Sequence, residues 1–229
     1  MNDGAWWALI GTLVGMLQAF TGAGGAILAV PMFMWGLDTT LPQATVYSLY
    51  AVVFAAAFNG FLQRSQARFG IAGALGLFAT LGSALSQGWK ATAPVWVIQA
   101  VFVSVCVYAV VMMLFAPKPL AAGQIQKPGV SPWIQTPLAG VFIGGLTTLT
   151  GLGGGVVMVP WLHRGLKLPM AHSVPTSVIA VLCSASAALF FQRQAAMEGV
   201  KPSFLIALVL GTTASAAVSR RILHRIPAE

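Results

Sequence analysis

Carboxylates are nearly absent from this sequence: Asp3, Asp38, Glu198 and Glu229 are the only four in 229 residues. Charged residues of both signs make up 7% of the chain. A soluble domain carries roughly a quarter. That scarcity excludes a water-facing globule of this size, because too few charges exist to cover it. All four carboxylates fall in termini or between apolar runs. Coupling of protons or cations through a buried acid is therefore not expected, and a cationic substrate would lack its counter-charge. Cysteine is scarce as well. Cys106 and Cys183 lie inside apolar stretches with no CxxC or Cys/His spacing. No zinc site is expected, and small buried thiols are the default reading. HExxH, GxSxG, GxGxxG and GK[ST] patterns are all missing, so neither an enzyme nor a nucleotide-binding module is expected, and no metal or cofactor is implied. Met1-Asn2-Asp3-Gly4 has no basic n-region, so the first apolar stretch is expected to stay in the mature protein.

What is present is apolar. Hydrophobic residues are 58% of the chain and the mean hydropathy is +0.85. The bilayer is the natural solvent for such a composition. The net charge of +8 comes from single Lys and Arg residues scattered between apolar stretches. They form no run and no aromatic-interleaved patch, so they read as topology-setting loop charges and not as a nucleic-acid surface. Trp6, Trp7, Trp89, Trp133 and Trp161 fit interfacial belts.

The chain repeats itself at an offset of 129. Gly11 and Gly15 meet Gly140 and Gly144; Thr21-Gly22 meets Thr150-Gly151; Gly24-Gly25 meets Gly153-Gly154. Pro31 meets Pro160, Ser48 meets Ser177, and Gln63-Arg64 meets Gln192-Arg193. Glycine-rich composition could match glycines by chance, but not Gln-Arg, Pro and Ser at one offset. A first transmembrane repeat over 1–116 and a second over 133–229 follow, joined by a Pro/Gly-punctuated linker over 117–132.

Each half begins with an apolar element of about 33 residues, at 5–37 and 133–166. A straight helix of that length would run about 50 Å, too long for a bilayer. The clustered glycines at its middle favour an unwound break. Spanning elements follow at 44–63, 70–89 and 94–116, and again at 174–192 and 202–219. If each broken element crosses once, the 12 Lys and Arg divide six to six. If each is a hairpin returning to its own side, nine share one side and only Lys90, Arg193 and Lys201 lie opposite. The second division obeys the positive-inside rule. The expected fold is all-α and polytopic: two inverted repeats, each opening with a Gly-broken re-entrant hairpin. The N-terminus is expected outside and the C-terminus in the cytoplasm.

Broken helices meeting near the midplane form the substrate sites of many secondary transporters. The outgoing half-helices begin near Gly25 and Gly155, and their N–H groups and positive ends make a ready anion site. The candidate substrate-binding residues are Thr21, Gly22, Gly24, Gly25, Ser48, Thr150, Gly151, Gly153, Gly154, Gly155, Thr176 and Ser177. The glycine clusters fit substrate contact or close packing; Gly11, Gly15, Gly140 and Gly144 fit packing. Arg64 and Arg193 read as interfacial anchors, and Gln18, Asn59 and His172 as interhelical hydrogen-bond partners.

The twice-used pattern resembles the TauE/SafE family of sulfite exporters. The carrying residues are Gly11-xxx-Gly15, Thr21-Gly22-Ala23-Gly24-Gly25 and Pro31. In the second half they are Gly140-xxx-Gly144, Thr150-Gly151-Leu152-Gly153-Gly154-Gly155, Pro160 and Pro175-Thr176-Ser177. Tyr47-Ser48 and Ala26 depart from the pattern in the first half. The resemblance implies a permease in the cell inner membrane that exports a small anion, sulfite or an organosulfonate. The expected partners are that anion and the lipid bilayer, with a homodimer allowed and no nucleic acid. The family's final spanning helix is expected to be missing, because the chain stops at Glu229 where it would begin. An accessory or assembly subunit without transport of its own is the alternative reading.

Overall fold

The computed structural model describes residues 3–21, 25–36, 38–114, 132–192 and 206–211. The described residues are helices joined by turns, bends and short irregular connections, with no strand among them. The helices are α1 (Asp3–Thr21), α2 (Gly25–Gly36), α3 (Leu41–Leu62), α4 (Phe69–Thr92), α5 (Val95–Leu114), α6 (Pro132–Thr150), α7 (Gly155–Arg164) and α8 (Met170–Phe191). A short 3-10 turn, Arg64–Gln66, joins α3 to α4, and residues 206–211 form a further helical segment. The linker, the stretch after Gln192 that carries Arg193, Glu198 and Lys201, and the C-terminal residues fall outside the described residues.

Helix boundaries recur at the sequence offset. α1 and α6 each have 19 residues, and α3 and α8 each have 22, with members of a pair starting 129 positions apart. Proline sits near the start of α3 (Pro42) and of α6 (Pro132), where its missing N–H costs nothing. At the α3 start, the Thr40 N–H donates to Gln43 Oε1 at 3.2 Å.

Three described helices are long and apolar enough to cross a membrane: Leu41–Leu62, Phe69–Lys90 and Met170–Phe191. Their outer faces are apolar. Phe61, Leu77, Leu81, Leu85 and Phe190 are exposed, and Trp35 is 93% exposed. In water such a surface would aggregate; against acyl chains it costs nothing.

Small residues hold the bundle together. A Cβ on Gly144 would strike the Ala79 carbonyl, and one on Gly82 would strike the Val141 carbonyl. Gly140 sits against Phe78, Leu75 and Ala79. α4 and α6 therefore run side by side in the same direction at backbone contact, as small-residue faces allow. The same contact occurs a second time with the halves exchanged: Gly11 of α1 lies against Leu208 of the 206–211 segment. α3 ends where α8 begins, because the Arg68 N–H donates to Thr176 Oγ1 at 3.0 Å and His172 Nδ1 pairs with the Gln66 carbonyl at 2.8 Å. These two central helices are thus antiparallel. The main core lies between them and α4 and α6, around Leu49, Val52, Leu75, Ile143, Leu152, Met158 and Val181.

The expected thiol burial holds only in part. Both cysteines are free; Cys106 is half-buried, but Cys183 is exposed, because that face of α8 is not fully covered by the described residues.

Candidate functional site

The break between α6 and α7 is described in full. The last helical bond of α6 is from the Gly151 N–H to the Thr147 carbonyl at 2.9 Å, and Gly151, Gly153 and Gly154 all have left-handed φ, at 72°, 69° and 71°. Only glycine takes three such residues in four without strain, which is why the cluster reads Gly-Leu-Gly-Gly. Leu152 between them is buried and pins the loop into the core. At Gly154 a Cβ would meet Thr147 and Ile143, so the chain doubles back along α6 before α7 begins. α7 then runs toward the start of α8, where His163 Nδ1 pairs with the Leu168 carbonyl at 2.8 Å.

The break is held by hydroxyls. Ser48 Oγ on α3 donates to the Gly151 carbonyl at 2.7 Å, its proton shared with the Thr45 carbonyl at 2.9 Å. Thr150 Oγ1 donates to the Leu146 carbonyl at 2.7 Å and accepts the Leu152 N–H at 3.3 Å. Ser184 Oγ on α8 reaches the Gly153 carbonyl at 3.5 Å and the Val181 carbonyl at 3.1 Å. Ser177 Oγ donates to the Val174 carbonyl at 2.8 Å. Every one of these residues is buried. The Gly151 and Gly153 carbonyls of the break are thus met by side-chain hydroxyls, as buried backbone requires. At the start of α7 the Val157 and Met158 N–H groups bond the Gly154 carbonyl at 3.2 and 3.1 Å, and helix geometry gives the N–H groups of Gly155 and Val156 no intrahelical partner.

The first break is described only at its edges. Gly22 and Gly24 lie outside the described residues; Thr21 closes α1 and Gly25 opens α2. Ile27, two residues into α2, packs against the buried pair Val156 and Val159 of α7, with Val174 of α8 beside them. The beginnings of α2 and α7 therefore come together next to α8. Of the twelve candidate residues, the structure gathers Ser48, Thr150, Gly151, Gly153, Gly154 and Gly155 around one break. Ser177 neighbours the meeting point through Val174. Thr176 is turned to the Arg68 amide at the start of α8.

Other sequence expectations find specific partners. Asn59 Nδ2 donates to the Gly15 carbonyl at 3.4 Å, an interhelical bond from α3 to α1. Gln18, three residues before Thr21, is 3% exposed, and its Oε1 has no hydrogen-bond partner among the described residues. Arg64 caps the membrane end of α3 over the Phe61 ring at 4.6 Å, as an interfacial anchor does.

One residue departs from its expected place. Lys90 reads in the sequence as a loop charge, but α4 continues through it to Thr92. Its side chain is half-buried: Nζ donates to the Thr148 carbonyl at 2.9 Å and to Gln192 Oε1 at 2.6 Å. Thr148 is in the last turn of α6, immediately before the break. Ser184 and Lys90 escaped the repeat comparison because neither has a like residue at the offset: Ala55 and Ser219 stand there.

The family description "Sulfite exporter TauE/SafE" matches residues 7–229 of this chain. Two curated relatives from Xylella fastidiosa, strains Temecula1 and 9a5c, carry the name "Probable membrane transporter protein". Each is 25% identical over 183 residues, covering 75% of this chain and 67% of the relative. No solved structure matches.

Proposed function

This chain belongs to the sulfite exporter TauE/SafE family of multi-pass membrane transporters, and on that premise we propose that it exports a small sulfur oxyanion, sulfite or an organosulfonate, across the cell inner membrane. It is a transporter and not an enzyme.

The observation that carries the anionic substrate is the second break itself. Side-chain hydroxyls occupy the carbonyls of Gly151 and Gly153, while the α7 amides begin beside the α2 start. Two converging helix N-termini place partial positive charge where they meet. Thr21, Gly22, Gly24, Gly25, Ser48, Thr150, Gly151, Gly153, Gly154, Gly155, Thr176 and Ser177 form the proposed site. In it the glycines admit the anion to the backbone amides, and the hydroxyls of Ser48, Thr150 and Ser184 hold the backbone that presents them.

The re-entrant, inverted arrangement is part of the same proposal. The doubling back of Gly154 onto Thr147 supports a hairpin. The exchanged contacts Gly140–Ala79 and Gly11–Leu208 support two repeats, over 1–116 and 133–229, related by a two-fold axis. Arg68 and the start of α8 share one end of the bundle, which is the proposed cytoplasmic side; Lys90 and Gln192 share the other. An inside-negative potential then drives an anion outward.

The test is thermal stability of the detergent-purified protein against sulfite, sulfate, thiosulfate and small sulfonates, with chloride, acetate and phosphate as controls. A ligand at about 100 times its Kd should stabilise the fold by about 2.7 kcal/mol. Stabilisation by one sulfur-anion class, and flux of that anion in proteoliposomes, supports the reading. No shift with any anion, together with no flux, sinks it in favour of an accessory role.

A further inference from the structure

We propose that Lys90 is an anion-binding residue at the mouth of the second break, where its ammonium, with the Gln192 side chain, takes the transported oxyanion as it passes between the break and the face of the membrane opposite Arg68. This inference rests on the anion reading above.

Among the described residues, nothing neutralises the charge of Lys90. Its two partners, the Thr148 carbonyl and Gln192 Oε1, are both neutral. No carboxylate is bound to it among the described residues. A half-buried ammonium with neutral partners keeps most of its desolvation cost, and an anion is what relieves it. Lysine carries three N–H donors, and two are spoken for. The third is left for a ligand. Gln192 is itself almost fully buried and holds the same carbonyl from its other end, Nε2 reaching the Thr148 oxygen at 3.4 Å. The lysine is therefore fixed in place and does not sweep through solvent.

Position gives the charge its use. α6 ends at the break, so its last carbonyls present the negative end of the helix dipole to anything leaving the α7 amides. An anion would meet that end as a barrier. Lys90 sits on it, through Thr148, and reverses the sign. Ser83 and Thr148 complete the same junction: Ser83 Oγ donates to the Gly144 carbonyl at 3.1 Å, and Thr148 Oγ1 to the Gly144 and Ser83 carbonyls at 3.3 and 3.5 Å. The neighbouring hydroxyls are thus occupied, and the ammonium is the donor still free to meet a ligand. A lysine that only capped α6 would have the same bonds, so the experiment separates the two roles.

The full-length protein is titrated with the anion that stabilises wild type in the screen above, sulfite being the first probe, and KM for flux is measured in proteoliposomes. Lys90→Met should weaken anion binding and raise KM by about tenfold or more, the weight of one charge-assisted hydrogen bond. Lys90→Arg should restore most of it. Gln192→Glu keeps the lysine and the fold but sets a carboxylate on the ammonium. It should weaken anion binding by a similar factor while leaving the unliganded melting temperature unchanged or higher. A mere helix cap predicts the reverse: normal anion affinity in Gln192→Glu, and in Lys90→Met a lower melting temperature with unchanged KM. That pattern overturns the proposal and leaves the anion reading standing. A wild type that binds and moves no anion removes both.

Discussion

Ser48 on α3 donates a 2.7 Å hydrogen bond to the carbonyl of Gly151, 103 residues away, and so fastens one half of the chain to the unwound segment of the other. Both partners are buried. Breaking the bond leaves a carbonyl without a donor in a dry setting. Ser48→Ala should cost about 1–3 kcal/mol, read as a lower melting temperature, and should loosen the break enough to weaken anion binding. Unchanged stability and affinity together would show that the hydroxyl is incidental.

Gly153 combines two constraints that can be separated. Its φ of 69° is costly for any side chain, and a Cβ would lie 2.6 Å from Val52 Cγ1. Gly153→Ala should destabilise by more than the roughly 1–2 kcal/mol of left-handed backbone strain alone. Adding Val52→Ala removes the clash and not the strain, so the double variant should recover part of the cost of the glycine substitution once the Val52→Ala loss is subtracted in a double-mutant cycle. Strict additivity of the two changes would contradict the packing seen here.

The glycines of α4 should divide sharply. At Gly82 a Cβ would drive into the Val141 carbonyl, whereas at Gly73 and Gly88 it meets nothing within 4 Å. Gly82→Ala should therefore separate α4 from α6 and lower both stability and transport. Gly73→Ala and Gly88→Ala should be neutral or stabilising by up to about 1 kcal/mol, since alanine is the better helix former. Equal effects at all three positions would mean that α4 and α6 do not touch as described.

Sidedness is directly measurable. After Cys106 and Cys183 are replaced by Ser, single cysteines at Arg68, Lys167 and Thr92 can be labelled in intact cells and in inverted vesicles. Arg68→Cys and Lys167→Cys should react from the cytoplasmic face and Thr92→Cys from the outer face. Labelling of Lys167→Cys from outside would mean that the α6–α7 element crosses the membrane once and does not return.

Much of this was legible in the sequence because its signals are local or periodic. Scarce charge announced the bilayer; the 129-residue offset announced the repeat; Gly151-Leu152-Gly153-Gly154 announced an unwound segment, since no other residue type tolerates three positive φ values there. The Gly-xxx-Gly pairs marked close contacts, and Gly11, Gly140 and Gly144 lie against neighbouring backbone or side chains. The helix ends fell within a few residues of the apolar runs.

Other features were not legible, for a physical reason. Comparing a chain with its own repeat selects residues that recur, and so passes over those that serve one half only. Ser184 and Lys90 are of that kind. Nor could spacing reveal that the Ser48 hydroxyl reaches the Gly151 carbonyl, because that bond depends on a neighbour brought close by packing. By itself the sequence determined a membrane-embedded, helical chain interrupted at Gly151-Leu152-Gly153-Gly154, because composition and backbone freedom are properties of the chain alone. Only the tertiary structure decided that α3 of one half closes the break of the other, and that the ammonium of Lys90 rests on the end of α6. Those contacts join residues from about 60 to more than 100 positions apart, and no local rule of chain chemistry links them.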